Sequence, residues 1–326
     1  MACLTFLSRR WESLRSLMTP TTLILDAADV GRLRQAAPLC ELICNVHCEG
    51  AEAVALLRCE LVCPFYLGVA DLDSHQQQRD FAAALATRTG IELLFLQGGN
   101  LAGATLEALA RAVGTVGVEK ISFYQCGLTR LALPALTLVF RSTVLRRFEI
   151  HLNGGASLFT GPDLPAFCDA LRSNSSLKQI MLDNCDLWAN PADAGMVLAA
   201  LAARSTFFSL NLISNHVGET QAQQLTAGTQ LAQLIIAGGL KSLELNGCSL
   251  GEAGLAHIFA ALSVATRLER LDLTGEEMSS AFARDVVLPA VRANTSLRYL
   301  AFSNVDGDEL LPELIEAQNI VAARAA

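Results

Sequence analysis

The chain repeats one short apolar pattern at intervals of 27 to 33 residues. From Leu240 to Leu250, apolar residues occupy positions one, four, six and eleven, and Cys248 occupies position nine. The same frame starts at residues 62, 91, 118, 145, 177, 207, 240, 268 and 297; the frames at 62, 91 and 297 are weaker, with Ala70, Gly99 and Val305 at position nine. A fixed period of this length predicts a solenoid of stacked units rather than two separate globular domains.

Each unit is predicted to contain one strand and one helix. Positions four and six of the frame point inward from a strand, and positions three, five and seven point to the opposite face. Helices are predicted by apolar residues at i, i+3, i+4 and i+7, as at Leu255, Ile258, Phe259 and Leu262. Stacked parallel strands need ~4.8 Å each and helices ~10 Å, so the stack must bend with its strands inside. The expected fold is an α/β horseshoe with a parallel concave sheet and convex helices.

The ninth position alternates between two residue types, in the order Cys126, Asn153, Cys185, Asn215 and Cys248. A side chain at this turn can bond backbone groups that would otherwise be buried and unpaired. We therefore expect the three thiols to be buried and reduced.

This alternation resembles the leucine-rich repeats of the ribonuclease-inhibitor-like subfamily, which includes ribonuclease inhibitor, the repeat regions of NOD-like receptors and the Ran GTPase-activating protein. The resemblance covers about residues 62–310. It implies a right-handed β/α horseshoe, and because these relatives differ in function it leaves the target open.

The two ends of the chain depart from the repeat. We expect residues 1–61 to form a capping helix and degenerate repeats, with short strands near Leu23 to Leu25 and Leu39 to Cys44. The first helix has two alternative interpretations, a transit peptide or the end of an F-box. Residues 62–307 are predicted to form the leucine-rich repeats, and residues 308–326 a closing helix and tail.

Composition narrows the possible partners and compartment. The chain is 52% hydrophobic, yet no apolar run approaches the ~20 residues of a membrane helix. A net charge of −8 argues against nucleic acid, which requires clustered basic residues. The buried-thiol pattern favours the cytoplasm. Export remains an alternative because sequons occur at Asn174 and Asn294, which we interpret as turn residues.

No motif for catalysis or for a cofactor stands out, so we expect a protein that is not an enzyme and carries no cofactor. An N-terminal cluster contains Cys40, Cys44, His47, Cys48, Cys59 and Cys63. These are zinc-compatible residue types, but the spacing is not that of the tight C-x2-C turns of structural zinc sites. Packing is the favoured interpretation, and zinc the alternative.

The concave face carries the candidate site. Its outward positions in the N-terminal half include aromatic and charged residues that suit a protein interface: Tyr66, Phe95, Lys120, Tyr124, Arg147, Glu149, His151, Met181 and Asp183. We expect Tyr66, Phe95 and Tyr124 to form one patch with a charged rim. The C-terminal half offers Tyr299 and the charges of Glu244, Arg270 and Asp272, which can pair among themselves. The alternative for both halves is that tyrosines and paired charges simply suit strands.

The leading hypothesis is a monomeric scaffold that binds a protein partner on the N-terminal half of its concave face. Two alternatives remain at this point: a Ran-GTPase-activating-like regulator of a small GTPase, and an F-box-like substrate adaptor.

Overall fold

The computed structural model describes residues 44–49, 53–54, 57–58, 65–70, 72, 74–88, 91–98, 101, 103–153, 158–204, 207–302 and 310–325, with the backbone alone at 44–49, 65–66 and 104–105. Within these residues, ten strands form one sheet whose strand order follows the sequence. They are β1 (Cys44–Glu49), β2 (Phe65–Ala70), β3 (Ile91–Gln97), β4 (Lys120–Tyr124), β5 (Arg147–His151), β6 (Gln179–Leu182), β7 (Ser209–Asn211), β8 (Ser242–Glu244), β9 (Arg270–Asp272) and β10 (Tyr299–Ala301). All neighbouring strands are parallel.

Helices follow the strands. They are α1 (His75–Leu85), α2 (Gly103–Val116), α3 (Leu133–Phe140), α4 (Leu164–Ser173), α5 (Pro191–Ala202), α6 (Gln221–Ile236), α7 (Gly251–Val264), α8 (Ser280–Phe282), α9 (Leu288–Ala293) and α10 (Pro312–Ala325). A π-helical turn, Ala283–Val287, joins α8 to α9, and short 3-10 turns occur at Arg130–Ala132 and Leu187–Ala189. The predicted alternation of strand and helix is confirmed, and no described helix is long and apolar enough to cross a membrane.

One continuous core lies between the sheet and the helices. Position four of the frame is buried in every repeat from β3 to β10: Leu94, Ile121, Phe148, Ile180, Leu210, Leu243, Leu271 and Leu300. The helix stripe of Leu255, Ile258, Phe259 and Leu262 is buried against it. Because one strand spacing separates successive repeats, each repeat covers the apolar face of its neighbour, and no unit has a core of its own.

The frame predicted to start at residue 62 is wrong by two residues. Leu67 pairs with Leu94 and Val69 with Leu96, so these two residues occupy the inward positions four and six. Tyr66 therefore pairs with Leu93 at position three, and Gly68 lies opposite Phe95. A shift of two residues leaves the same side chains on the same face of a strand, so apolar alternation alone did not fix the register.

The ninth-position thiols are buried as predicted. Cys126, Cys185 and Cys248 are free thiols with almost no exposed surface. The Cys126 Sγ donates to the Leu96 carbonyl at 3.3 Å, and burial raises the pKa of this thiol to about 12. Burial also raises the pKa of Cys185 and of Cys248. These thiols therefore stay protonated at neutral pH and pack as small apolar groups.

The intervening asparagines bond the turn of the preceding repeat. The Asn153 amide accepts from the Leu128 N–H and donates to the Leu128 carbonyl, both at 2.6 Å. Asn215 accepts from the Cys185 and Leu187 N–H groups and donates to Leu182. Without these amides the same buried backbone groups would have no partner.

Glu276 occupies the ninth position in the next repeat. Its carboxylate accepts from the Ser249 N–H at 2.9 Å and the Leu250 N–H at 2.7 Å. Burial raises the pKa of Glu276 to about 7, although hydrogen bonds from backbone N–H groups oppose the shift. A titratable carboxyl therefore occupies the position at which the five preceding repeats have an amide or a thiol.

The two sequon asparagines are structural, as predicted. Asn174 and Asn294 are buried in the turns that precede β6 and β10. The Asn174 amide nitrogen donates to the carbonyls of Phe140 and Ser142, and its oxygen accepts from Leu177. Asn294 makes the corresponding bonds. Since these amide nitrogens already donate to buried carbonyls, they hold the turns rather than present a site for a sugar.

The ends of the chain extend the sheet and the helical layer. At the N-terminal side, β1 adds a strand in register with β2. At the C-terminal side, α10 buries Leu314, Ala317 and Val321 against the core. The predicted first helix, the strand near Leu23 to Leu25, and the side chains of the cysteine cluster and of His47 lie outside the described residues.

Candidate partner-binding face

Eight of the predicted site residues lie on neighbouring strands of one face. Phe95 lies in β3, Lys120 and Tyr124 in β4, Arg147, Glu149 and His151 in β5, and Met181 in β6, with Asp183 directly after it. The backbone of Tyr66 lies in β2, but its side chain is outside the described residues, so the patch that the structure shows begins at Phe95.

An aromatic row crosses β3, β4 and β5. The ring centroids of Phe95 and Tyr124 are 6.1 Å apart, and those of Tyr124 and His151 are 6.2 Å apart. Both distances are within the range in which rings contact each other. All three rings are partly exposed. Strand stacking therefore places three flat side chains side by side on the surface.

Glu149 is the centre of the charged part of the face. Its carboxylate contacts the Lys120 Nζ at 2.8 Å, the Arg147 guanidinium at 3.3 Å and the His151 Nε2 at 3.4 Å. The residue is buried. Burial raises the pKa of Glu149, but hydrogen bonds from His151 and Lys120 and the charges of Lys120 and Arg147 outweigh it and hold the pKa at about 2. The carboxylate therefore fixes the positions of three neighbours at neutral pH.

The network continues to the next strand through His151. The His151 Nδ1 lies 3.8 Å from the Asp183 carboxylate. Burial raises the pKa of Asp183, although the charge of His151 opposes the shift. Met181 lies in register with Glu149 and is partly exposed, so it adds an apolar contact beside the carboxylate. Each of the charged or titratable residues predicted for this half therefore contacts another of them.

The expected charged rim is thus a paired network, which corrects the sequence-based contrast between the halves. In the C-terminal half, Arg270 contacts Glu244 at 3.2 Å and Asp272 at 3.5 Å, which confirms the predicted pairing there. The Arg270 guanidinium also lies 3.6 Å from the centroid of the Tyr299 ring. Charged residues form ion pairs in both halves, so the two halves differ in the arrangement of their aromatic rings.

Sequence reasoning did not single out Ser122. This residue lies between Phe95 and Glu149 in the register of the sheet, and it is almost completely buried. Its hydroxyl finds no hydrogen-bond partner among the described residues. The sequence contained one signal for this feature, a small residue at an outward position between larger residues. In the structure, the neighbouring side chains cover this serine.

The parallel sheet, the convex helices and the ninth-position side chains together define a leucine-rich-repeat protein. No protein-family model matches the chain. Among solved structures, the leucine-rich-repeat-containing protein LegL7 from Legionella pneumophila has a TM-score of 0.54 and 15% identity, covering 86% of this chain and 90% of that one. This likeness supports the fold.

Curated relatives narrow the class of leucine-rich-repeat protein to which the chain is similar. Mouse ribonuclease inhibitor is 24% identical over 226 residues, covering 67% of this chain and 47% of the relative. Pig ribonuclease inhibitor is 26% identical over 260 residues, covering 71% and 56%. Bovine "NACHT, LRR and PYD domains-containing protein 5" is 24% identical over 220 residues, covering 67% and 19%. The chain spans about half the length of the two inhibitors it matches. It is a leucine-rich-repeat protein of the ribonuclease-inhibitor-like type.

Proposed function

We propose that the chain is a non-catalytic scaffold that binds a protein partner on the N-terminal half of its concave face. The observation that carries the proposal is the continuous row of Phe95, Tyr124 and His151 beside a paired charge network. Aromatic side chains supply large contact area at a small entropic cost, and they dominate the energetics of many interfaces.

The paired charges support this role in a second way. Lys120 and Arg147 are held by Glu149 before any partner arrives. A partner therefore meets side chains whose freedom is already reduced, so less conformational entropy is lost on binding. Because Arg147 remains half-exposed, its guanidinium retains donors for a partner carboxylate.

The relatives are consistent with recognition of a protein. Two of them are named as inhibitors of ribonuclease, and an inhibitor must engage its enzyme. The repeat architecture adds a rigid, extended surface on which residues from many strands stand together. The proposed contact residues are Tyr66, Phe95, Lys120, Tyr124, Arg147, Glu149, His151, Met181 and Asp183.

A differential capture experiment tests the proposal. The immobilised wild-type chain and its Tyr124→Ala and Phe95→Ala variants are incubated with extract, and bound proteins are quantified by mass spectrometry. Tyr299→Ala is the matched control, because it removes an exposed tyrosine from the other half of the same face. A genuine partner should be lost with the first two variants and kept with the control. Partners that depend on Tyr299 and ignore Tyr124 would contradict the proposal.

A further inference from the structure

A group of basic side chains lies where β5 and β6 begin. Arg141 stands in the turn before β5, Arg146 and Arg147 lie at the start of that strand, and Lys178 lies just before β6. We call these four residues the basic rim. It belongs to a chain whose net charge is −8, so local charge and overall charge have opposite signs here.

Two residues of the rim are neighbours in the sheet. The Lys178 N–H donates to the Arg146 carbonyl at 2.8 Å, which places the two residues side by side on neighbouring repeats. Arg141 lines an open cavity of about 440 Å³ together with Ser142 and Thr143 from its own turn and Ser173 from the next repeat. Arg141 therefore faces the same space as these hydroxyl groups, and its turn leads directly to Arg146.

Carboxylates of the chain neutralise only part of the rim. Arg146 contacts Glu119 at 3.3 Å, and Arg147 contacts Glu149, which Lys120 also contacts. Arg141 and Lys178 form no ion pair with a carboxylate in the described part of the chain; Lys178 instead lies 5.1 Å from the centroid of the Phe208 ring.

One acidic residue also lines the cavity, but it has a partner. Asp169 contacts Arg172 at 2.6 Å, so this pair adds no net charge to the space. Positive charge therefore predominates at the rim.

Helix capping explains one rim residue and not the others. Arg141 is the C-cap of α3, where a cation interacts favourably with the helix end. Arg146 and Lys178 lie in the segments that lead into strands and have no such role. Arg146 is 64% exposed, so burial of its side chain does not account for it either.

We propose that the basic rim binds an acidic peptide segment of a protein ligand. Guanidinium groups bind carboxylates in a bidentate geometry, and hydroxyl groups beside them can donate further hydrogen bonds. The cavity at Arg141 has room for one acidic side chain. A nucleic acid would need a longer basic track, which neutralises many successive phosphates, than these four residues provide. The proposal does not rest on the aromatic row, because the rim residues lie at or before the starts of β5 and β6 and the rings lie later in β3, β4 and β5. Arg147 is common to the rim and to the proposed partner-binding residues, so the test below uses Arg141 and Lys178.

Fluorescence anisotropy with a labelled short peptide of alternating Glu and Gly tests the proposal on the full chain. We expect saturable binding that weakens at least about tenfold between about 50 mM and 300 mM salt, because screening acts on exposed charges. The same peptide with Gln in place of Glu should not bind. The double variant Arg141→Gln and Lys178→Gln should weaken binding at least about tenfold.

The control double variant, Arg267→Gln and Arg292→Gln, removes two exposed arginines from distant repeats and should change binding by less than about twofold. Tyr124→Ala should leave peptide binding unchanged, which separates this rim from the proposed aromatic site. Absence of binding, equal binding of the Gln peptide, or equal losses in both double variants would overturn the proposal. Tighter binding of a single-stranded oligonucleotide of equal charge would overturn it in favour of a nucleic-acid surface.

Discussion

The two halves of the concave face carry similar charge networks but different aromatic surfaces. In the N-terminal half, Glu149 organises its neighbours and three rings form a row beside it. In the C-terminal half, Arg270 organises the charges and its guanidinium also lies over one face of the Tyr299 ring, which remains partly exposed. Paired charges are therefore a common property of the face, whereas a continuous aromatic row distinguishes one half. Charge pairing alone therefore does not distinguish the two halves, whereas the arrangement of the rings does.

The largest expected effect comes from the centre of the N-terminal network. Glu149→Ala leaves Lys120 and Arg147 without their buried partner and should cost about 2–3 kcal/mol of unfolding free energy. The matched change in the C-terminal half is Glu244→Ala. Because the Glu244 carboxylate is more exposed than that of Glu149, this change should cost about 1 kcal/mol or less of unfolding free energy. Urea unfolding of both variants at neutral pH measures the difference, and equal losses would show that the two networks are equivalent.

The pH dependence of the Glu149 network has a definite sign. Its folded pKa of about 2 lies below the ordinary value of 4.5, so its contribution is present above pH 4.5 and is lost as pH falls towards 2. Urea unfolding of the wild type and of Glu149→Gln across this range gives the contribution as the difference between the two curves. A difference that does not shrink on acidification would contradict the network seen here.

Glu276 in the C-terminal half should behave in the opposite way. Its folded pKa of about 7 lies above 4.5, so its contribution is present below pH 4.5 and is lost as pH rises through 7. Glu276→Gln removes the titration, but its amide nitrogen cannot accept from a backbone N–H as the second carboxyl oxygen does, so a constant loss of about 1–2 kcal/mol is expected at every pH. Relative to the wild type, the stability of the variant should therefore rise by about 2–3 kcal/mol between pH 4.5 and pH 8, because only the wild type loses the contribution of the protonated carboxyl. Urea unfolding of both proteins at the two pH values measures this change, and a difference between the two proteins that is the same at both pH values would contradict the raised pKa.

A smaller effect than at Glu149 is expected at the ninth-position thiols. Cys185→Ser places a hydroxyl where the nearest acceptor, the Asp183 carbonyl, lies 3.5 Å from the sulfur, and should cost about 1–2 kcal/mol. Cys248→Ser should cost less, because its sulfur lies 3.1 Å from the Leu212 carbonyl. Thermal unfolding of the two variants checks the order. The reverse order would show that local packing outweighs the hydrogen bond.

Much of the fold followed from the sequence because the repeat makes each residue's environment recur. The sequence predicted the inward positions from Leu94 to Leu300 and the buried thiols. A repeat of this kind determines both the face of the strand on which a residue lies and whether its side chain is buried. The register at Tyr66 was missed because a shift of two residues keeps the apolar face. Periodicity gives the face of a strand but not always its pairing.

The site was less predictable than the fold. The sequence placed Phe95 and Tyr124 on one face, and the structure brings their rings together. It did not show that Glu149 would gather three basic neighbours, because the direction of long side chains depends on which partners lie within reach. Nor did it show that Arg270 would lie over the Tyr299 ring. Such contacts depend on distances that a repeat frame does not specify.

The most direct test of the central claim is the affinity of a captured partner for two tyrosine variants. Once a partner is identified, isothermal titration calorimetry compares Tyr124→Ala with Tyr299→Ala, after circular dichroism has shown that both are folded. The account predicts a loss of about 2 kcal/mol or more for Tyr124→Ala and less than about 1 kcal/mol for Tyr299→Ala. A partner that loses its affinity with Tyr299→Ala and tolerates Tyr124→Ala would place the binding site on the C-terminal half and contradict the account.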